Sequence, residues 1–139
     1  MFVGGNRTRT AVAGLSAAVV ALAAATSFAA SDKPLRLTHV VVPKSLTSGG
    51  PHGKETMTWT GNAVFPVVAH IAPRSCPPGL ICNPVNKTFF AREDPFVWSP
   101  WVCEGAVPAG FEFRYYTWLT DAAGAKTNKV AVNVPCVNG

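Results

Sequence analysis

Alternation of apolar and polar side chains predicts β-strands, most clearly near the end of the chain. From Phe111 to Thr120, one face would carry Phe111, Phe113, Tyr115, Thr117 and Leu119, and the other Glu112, Arg114, Tyr116, Trp118 and Thr120. After a short turn at 121–125, Val130, Val132, Val134 and Cys136 share the apolar face of a second strand. A period of two residues is typical of half-buried strands, so the pattern predicts a C-terminal hairpin whose Cys136 points inward.

The rest of the chain carries further strand patterns and almost no helical ones. We expect strands over Leu35–Val42, Glu55–Thr60, Ala63–Ile71 and Lys87–Arg92, and one irregular strand around Trp101–Glu104 behind a looser aromatic segment. Pro66 suggests that its strand lies at an edge or carries a bulge. Residues 43–54 and 73–86 are rich in Pro, Gly and Ser or Asn and predict loops. The expected fold is all-β, an antiparallel sandwich of about seven strands.

Residues 1–29 have the three-part layout of a secretory signal peptide. Arg7 and Arg9 precede an uncharged stretch at 11–25, and Ser27 and Ala29 supply the small residues before a cut. A membrane anchor is the alternative, but about fifteen apolar residues are short for a bilayer, which needs about 20. We therefore expect a secreted single domain over 30–139, without a membrane span after cleavage.

All four cysteines follow the predicted cleavage site, and an even number in a small exported domain predicts two disulfides. Three pairings are possible. Cys76–Cys82 with Cys103–Cys136 is favoured because the first pair closes a short loop and the second would tie two distant strands. A metal site is disfavoured, since the chain has no Cys-x-x-Cys and its three histidines are dispersed. No cofactor is expected.

The hairpin resembles the last two strands of bacterial immunoglobulin-like and fibronectin type III-like domains. The similarity lies in the Pro108-x-Gly110 corner, the aromatic strand 111–116 and the short turn from Asp121 to a valine-rich final strand. Trp59 fits the buried tryptophan that such sandwiches often carry. Phe113 stands where a corner tyrosine is often found, so the hydroxyl-to-backbone bond of that corner is absent or comes from Tyr115. The resemblance implies an immunoglobulin-like sandwich and leaves the ligand open.

Charge and motif content argue against several functions. After removal of residues 1–29, ten Lys and Arg face seven Asp and Glu, a net charge of +3. The basic residues are scattered, which does not favour nucleic acid as a partner. Carboxylates are few, and no nucleophile motif such as Gly-x-Ser-x-Gly is present, so we do not expect an enzyme.

Three binding functions therefore remain. The first is a secreted, non-catalytic domain that binds a protein or an envelope polysaccharide. Its candidate contacts are the aromatic residues expected to face outward: Trp98, Trp101, Tyr116 and Trp118. A carbohydrate-binding module would stack the exposed tryptophans on sugar rings. A protease inhibitor would present Leu80 on the loop braced by Cys76 and Cys82. The alternative is a structural role, in which Trp101 belongs to the core and Trp118 packs under a loop.

Overall fold

The computed structural model describes residues 33–139, and this part of the chain is all-β, with eight strands and no helix. The predicted signal peptide at 1–29 lies outside the described residues. Within 33–139, no helix of a length and hydropathy suited to crossing a membrane occurs. The strands are β1 Arg36–Val41, β2 Leu46–Thr47, β3 Gly53–Thr60, β4 Val67–Ser75, β5 Val85–Phe89, β6 Phe96–Trp101, β7 Glu112–Thr120 and β8 Val130–Val137.

The strands form two sheets. One has three strands in the order β1-β3-β6, and the other has five in the order β2-β8-β7-β4-β5. All pairs are antiparallel except β2, which runs parallel to the end of β8 and pairs Leu46 with Cys136. The strands of both sheets alternate between buried and exposed positions.

The inward faces of the two sheets meet in one hydrophobic core. Phe96 of β6 and Phe89 of β5 stack with their ring centroids 4.1 Å apart. Trp59 of β3 also stacks on Phe96, at 5.2 Å. The Thr117 hydroxyl of β7 lies 3.8 Å from the Met57 sulfur of β3. Residues of the two sheets are therefore in contact here as well. Close aromatic packing of this kind adds to the stabilisation from buried apolar area.

The C-terminal hairpin has the predicted faces. Tyr115, Thr117 and Leu119 are buried, while Arg114 and Tyr116 are exposed. In β8 the side chains of Val132, Val134 and Cys136 are buried. The alternation along 111–136 therefore identified both strands and the inward direction of Cys136.

Two strand predictions need correction. The predicted loop at 43–54 contains β2, because Leu46 is buried and its backbone pairs with β8; a two-residue strand is too short to leave a periodic pattern. Pro66 does not mark an edge strand. The strand begins after it, at Val67, and lies between β5 and β7. A proline in front of a strand removes no donor from the ladder.

The prediction for β6 was also wrong, and with it the orientation of two tryptophans. The strand covers Phe96–Trp101, the segment expected to be loose, and ends where a strand was expected to begin. Trp98 and Trp101, expected to face outward, are only 6% and 2% exposed. The register between β3 and β6 shifts here. Gly53 pairs with Trp101 and Glu55 pairs with Trp98, so two steps along β3 correspond to three steps along β6. The extra residue on β6 brings both indoles to the inward side.

The disulfides are Cys76–Cys82 and Cys103–Cys136, the pairing favoured from the sequence. The first closes a turn in which Leu80 N–H donates to the Pro77 carbonyl and Gly79 has a φ of 81°. Proline followed by glycine at a positive φ is typical of a type II turn. The second joins the segment after β6 to β8, and its two cysteines are 2% exposed. Two disulfides indicate an oxidising environment.

The two disulfides are expected to contribute unequally to stability. Replacing Cys103 and Cys136 together by Ala should lower the free energy of unfolding by about 4 kcal/mol, and replacing Cys76 and Cys82 by about 2 kcal/mol, because a longer closed loop restricts the unfolded chain more. The sequence separations are 33 and 6 residues. Urea unfolding of both double variants measures the difference. Equal losses would contradict it.

Candidate functional site

The outer face of the five-stranded sheet gathers aromatic and basic side chains. We define the outer face as outward residues of its strands, together with Lys129, which directly precedes β8: Asn86, His70, Ala72, Arg74, Glu112, Arg114, Tyr116, Trp118, Thr120, Lys129, Ala131 and Asn133. Tyr116 and Trp118 stand side by side on β7, where they pair with Ala72 and His70 of β4. The candidate contacts Tyr116 and Trp118 therefore lie on one surface.

Cations cover both rings in part. The guanidinium carbon of Arg74 lies 5.5 Å from the Tyr116 ring centroid, and Arg74 also donates to the Asn133 side chain. Lys129 Nζ lies 4.5 Å from the centroid of Trp118. Such cation–π contacts hold the charges in place beside the rings. Tyr116 remains 38% exposed, so the outer face presents an aromatic ring among fixed charges.

His70 lies at the centre of a polar network on the outer face. Its ring stacks on Trp118 at 4.9 Å, with 14° between the planes. Nδ1 lies 2.9 Å from Asn86 Oδ1, and Nε2 lies 2.7 Å from the Thr120 hydroxyl. Burial lowers the pKa of His70 below its ordinary value, the charge of Lys126 acts in the same direction, and the Asn86 bond opposes both. A neutral ring can donate to the amide oxygen and accept from the hydroxyl.

A cavity of about 530 Å³ lies on the other side of β7. Its lining includes four aromatic residues, Trp101, Phe111, Phe113 and Tyr115, together with Leu80 of the disulfide loop. The Tyr115 hydroxyl donates to the Asn83 carbonyl at 3.3 Å, and burial raises the pKa of Tyr115. Asn83 lies 32 residues before Tyr115, so this hydroxyl-to-backbone bond is not the local bond of a tyrosine corner.

Leu80 does not stand out from the surface as an inhibitor's contact residue would. It is half-buried, lines the cavity and packs against the core, while its neighbour Ile81 is 85% exposed. The structure separates the sequence-predicted candidates into three places: Trp98 and Trp101 in the core, Tyr116 and Trp118 on the outer face, and Leu80 at the cavity. His70, Arg74 and Lys129 were not predicted from the sequence, because the pairing of β4 and β8 with the two edges of β7 is not visible in the pattern of any one strand.

Glu55 is a carboxyl group in the core. It is 0% exposed, and neither of its oxygens has a hydrogen-bond partner among the residues that the structure describes. Burial raises its pKa to about 7; groups on Thr117 and Trp101 act against the shift, but neither makes a hydrogen bond of normal geometry. The alternation along β3 could have predicted the burial of Glu55, because Glu55 shares a face with Met57 and Trp59.

Among residues 33–139, no three His, Cys, Asp or Glu side chains come together as a metal site would require. Searches with the whole chain found no matching family model, no matching curated protein and no matching solved structure. Any function must therefore be argued from the geometry of the domain.

Stability should depend on pH through Glu55. Its folded-state pKa of about 7 exceeds the ordinary 4.5, so the folded state holds the proton more tightly. The Glu55 contribution is complete below pH 4.5 and is lost as the pH rises to about 7, a fall of about 3 kcal/mol. Glu55→Gln cannot ionise, so its gain in unfolding free energy over the parent should grow across this range. Denaturant unfolding from pH 4 to pH 8 measures it.

Glu93→Gln is the control, because it removes an exposed carboxylate from a loop. A constant difference between Glu55→Gln and the parent at every pH would mean that Glu55 ionises normally in the folded domain.

Proposed function

We propose that the chain is a secreted, non-catalytic domain of the immunoglobulin-like sandwich class, and that its outer face binds an acidic protein. The observation that carries this proposal is the row of aromatic rings and adjacent cations on the outer face of the five-stranded sheet. Secretion is supported by the signal-peptide pattern at 1–29 and by two disulfides.

The order of the strands supports the fold class. Immunoglobulin-like domains divide strands A, B and E from strands C, F and G. In this chain β1, β3 and β6 correspond to A, B and E, and β4, β7 and β8 correspond to C, F and G. The remaining strands, β2 and β5, extend the second sheet at its two edges. Trp59 of β3 is buried in the core, where it stacks on Phe96 of β6. The outer face is then the free side of the C-F-G sheet.

The charges of the outer face favour an acidic partner. Arg74, Arg114 and Lys129 are exposed there, against the single carboxylate of Glu112, which bonds to Arg114 at 3.0 Å. Complementary charge speeds association and disfavours wrong partners, although each exposed pair adds little affinity. Arginine, tyrosine and tryptophan are also enriched among the residues that dominate binding energies in protein interfaces.

A sugar ligand is less well supported. Stacking on a sugar requires a bare ring face, yet Trp118 contacts His70 at 4.9 Å and Lys129 at 4.5 Å. Trp98 and Trp101 are in the core and offer nothing to a polysaccharide. Tyr116 is the most exposed of the four candidate aromatics, and one exposed ring suits the anchor of a protein interface better than a sugar platform.

The protease-inhibitor alternative is also less well supported. An inhibitor loop must enter the cleft of a protease, so its contact residue must be accessible. Leu80 lies at the cavity, and the Cys76–Cys82 loop then supplies a wall for that cavity.

The outer-face proposal predicts that reversing the charge of Arg74 or Arg114 weakens binding of acidic peptides, whereas the same change on the other sheet does not. Wild-type domain should enrich acidic sequences from a phage-displayed peptide library. Arg74→Glu and Arg114→Glu should each weaken the selected peptides at least about tenfold, because each replaces an attraction by a repulsion. Arg36→Glu and Lys54→Glu are matched controls, since they make the same charge change on the three-stranded sheet.

Biolayer interferometry with the selected peptides measures these affinities. Equal losses in the controls would reduce the effect to net charge. Retention of the domain on insoluble glycans, lost in Tyr116→Ala, would contradict the choice of a protein partner.

The non-catalytic part of the proposal has its own test. Thr120, His70 and Asn86 have the order of a nucleophile, a base and an orienting group. However, they lie on an open sheet face, and none lines the cavities of about 530, 370 and 270 Å³. Hydrolysis of p-nitrophenyl acetate, followed by absorbance, should be equally slow for the parent and for Thr120→Val. A rate lost in Thr120→Val but kept in His52→Gln would contradict the proposal.

A further inference from the structure

The aromatic cavity beside the disulfide loop has the features of a site for a small cationic ligand. We propose that it binds a molecule bearing a quaternary or methylated ammonium group. This site lies on the inward side of β7, so it is separate from the outer face and independent of the function proposed for it.

Three pairs of rings in the cavity meet edge to face, and a fourth pair, Trp101 and Phe113, is tilted by 48° at 6.2 Å. Tyr115 meets Trp101 at 5.3 Å with 80° between the planes, and it meets Phe113 at 5.9 Å with 68°. Phe111 meets Phe113 at 5.1 Å with 76°. Trp101, Phe111, Phe113 and Tyr115 all line the cavity and so form its aromatic walls. The negative face of an aromatic ring attracts a cation, and boxes of aromatic rings are the usual sites for quaternary ammonium groups.

The charge of the lining selects the same ligand. Within residues 33–139, Glu104 is the one charged residue that lines the cavity, and no Lys, Arg or His of this part of the chain borders it. A permanent cation would therefore meet one carboxylate and no repulsion. An anionic ligand would meet the negative ring faces and Glu104, so the lining disfavours it.

The cavity is also preformed and of suitable size. Its volume of about 530 Å³ lies within the range of about 300–1,000 Å³ for small-molecule sites. Trp101, Phe111 and Tyr115 are buried, which keeps water away from the rings and strengthens cation–π attraction. The Tyr115 hydroxyl is held by the Asn83 carbonyl, and Cys76–Cys82 braces the loop that carries Leu80. A rigid site loses little entropy when it binds.

The sharpest test compares choline with 3,3-dimethylbutan-1-ol, its uncharged isostere of the same shape. Titration of ¹⁵N-labelled domain should shift the Trp101 indole resonance with choline in a saturable way. The isostere should bind about tenfold more weakly, because it lacks the cation–π attraction.

Two variants locate the effect. Glu104→Gln, at an exposed position, should weaken choline severalfold and leave the isostere unchanged, whereas Glu93→Gln should change neither. Phe113→Leu keeps an apolar wall but removes a ring, so it should also reduce the preference for choline; its circular dichroism spectrum checks that it folds. Equal affinity for both probes would overturn the cationic ligand class. The absence of saturable shifts with choline would overturn the site.

Discussion

The disulfide between Cys103 and Cys136 is the constraint on which the spacing of the two sheets depends. Cys103 follows the last strand of the three-stranded sheet, and Cys136 lies in β8 of the other. Both are buried, so the bridge fixes the spacing of the sheets where the core is also closed by Leu46. The chain around β2 is held to both partners, because Gly49 N–H donates to the Cys103 carbonyl at 2.9 Å and Ser48 N–H donates to the Val137 carbonyl at 2.8 Å.

Strand β7 carries both candidate sites on its two sides. Phe113 and Tyr115 contribute to the cavity, while Tyr116 and Trp118 belong to the outer face. A period of two residues separates these roles, so a ligand in the cavity and a partner on the sheet would touch opposite sides of one strand. Glu55 adds a cost to the core, because an unpaired buried carboxylate is unfavourable, and its raised pKa of about 7 means that the group holds its proton only below about that pH.

The sequence predicted those parts of the fold that depend on local alternation. The faces of β7 and β8 and the inward Cys136 follow from it, and the disulfide pairing follows from loop length and that direction. The orientation of Trp98 and Trp101 could not be predicted, because it depends on a bulge against β3, a strand about forty residues away along the chain. Tyr116 and Trp118 lie beside His70, Arg74 and Lys129 because of the register between strands, which leaves no pattern in the sequence of any one strand. The cavity depends on the position of the disulfide loop, which leaves no local pattern either.

The most direct test of the account is the disulfide map of the protein purified under non-reducing conditions. Trypsin digestion without reduction should join the peptide 93–114, which contains Cys103, to the peptide 130–139, which contains Cys136. The peptide 75–87 should carry Cys76 and Cys82 in an internal bond. Mass spectrometry of the unreduced digest, repeated after reduction, reads both links. A peptide 75–87 joined to either of the other two, or free thiols at Cys103 and Cys136, would contradict the arrangement of the two sheets.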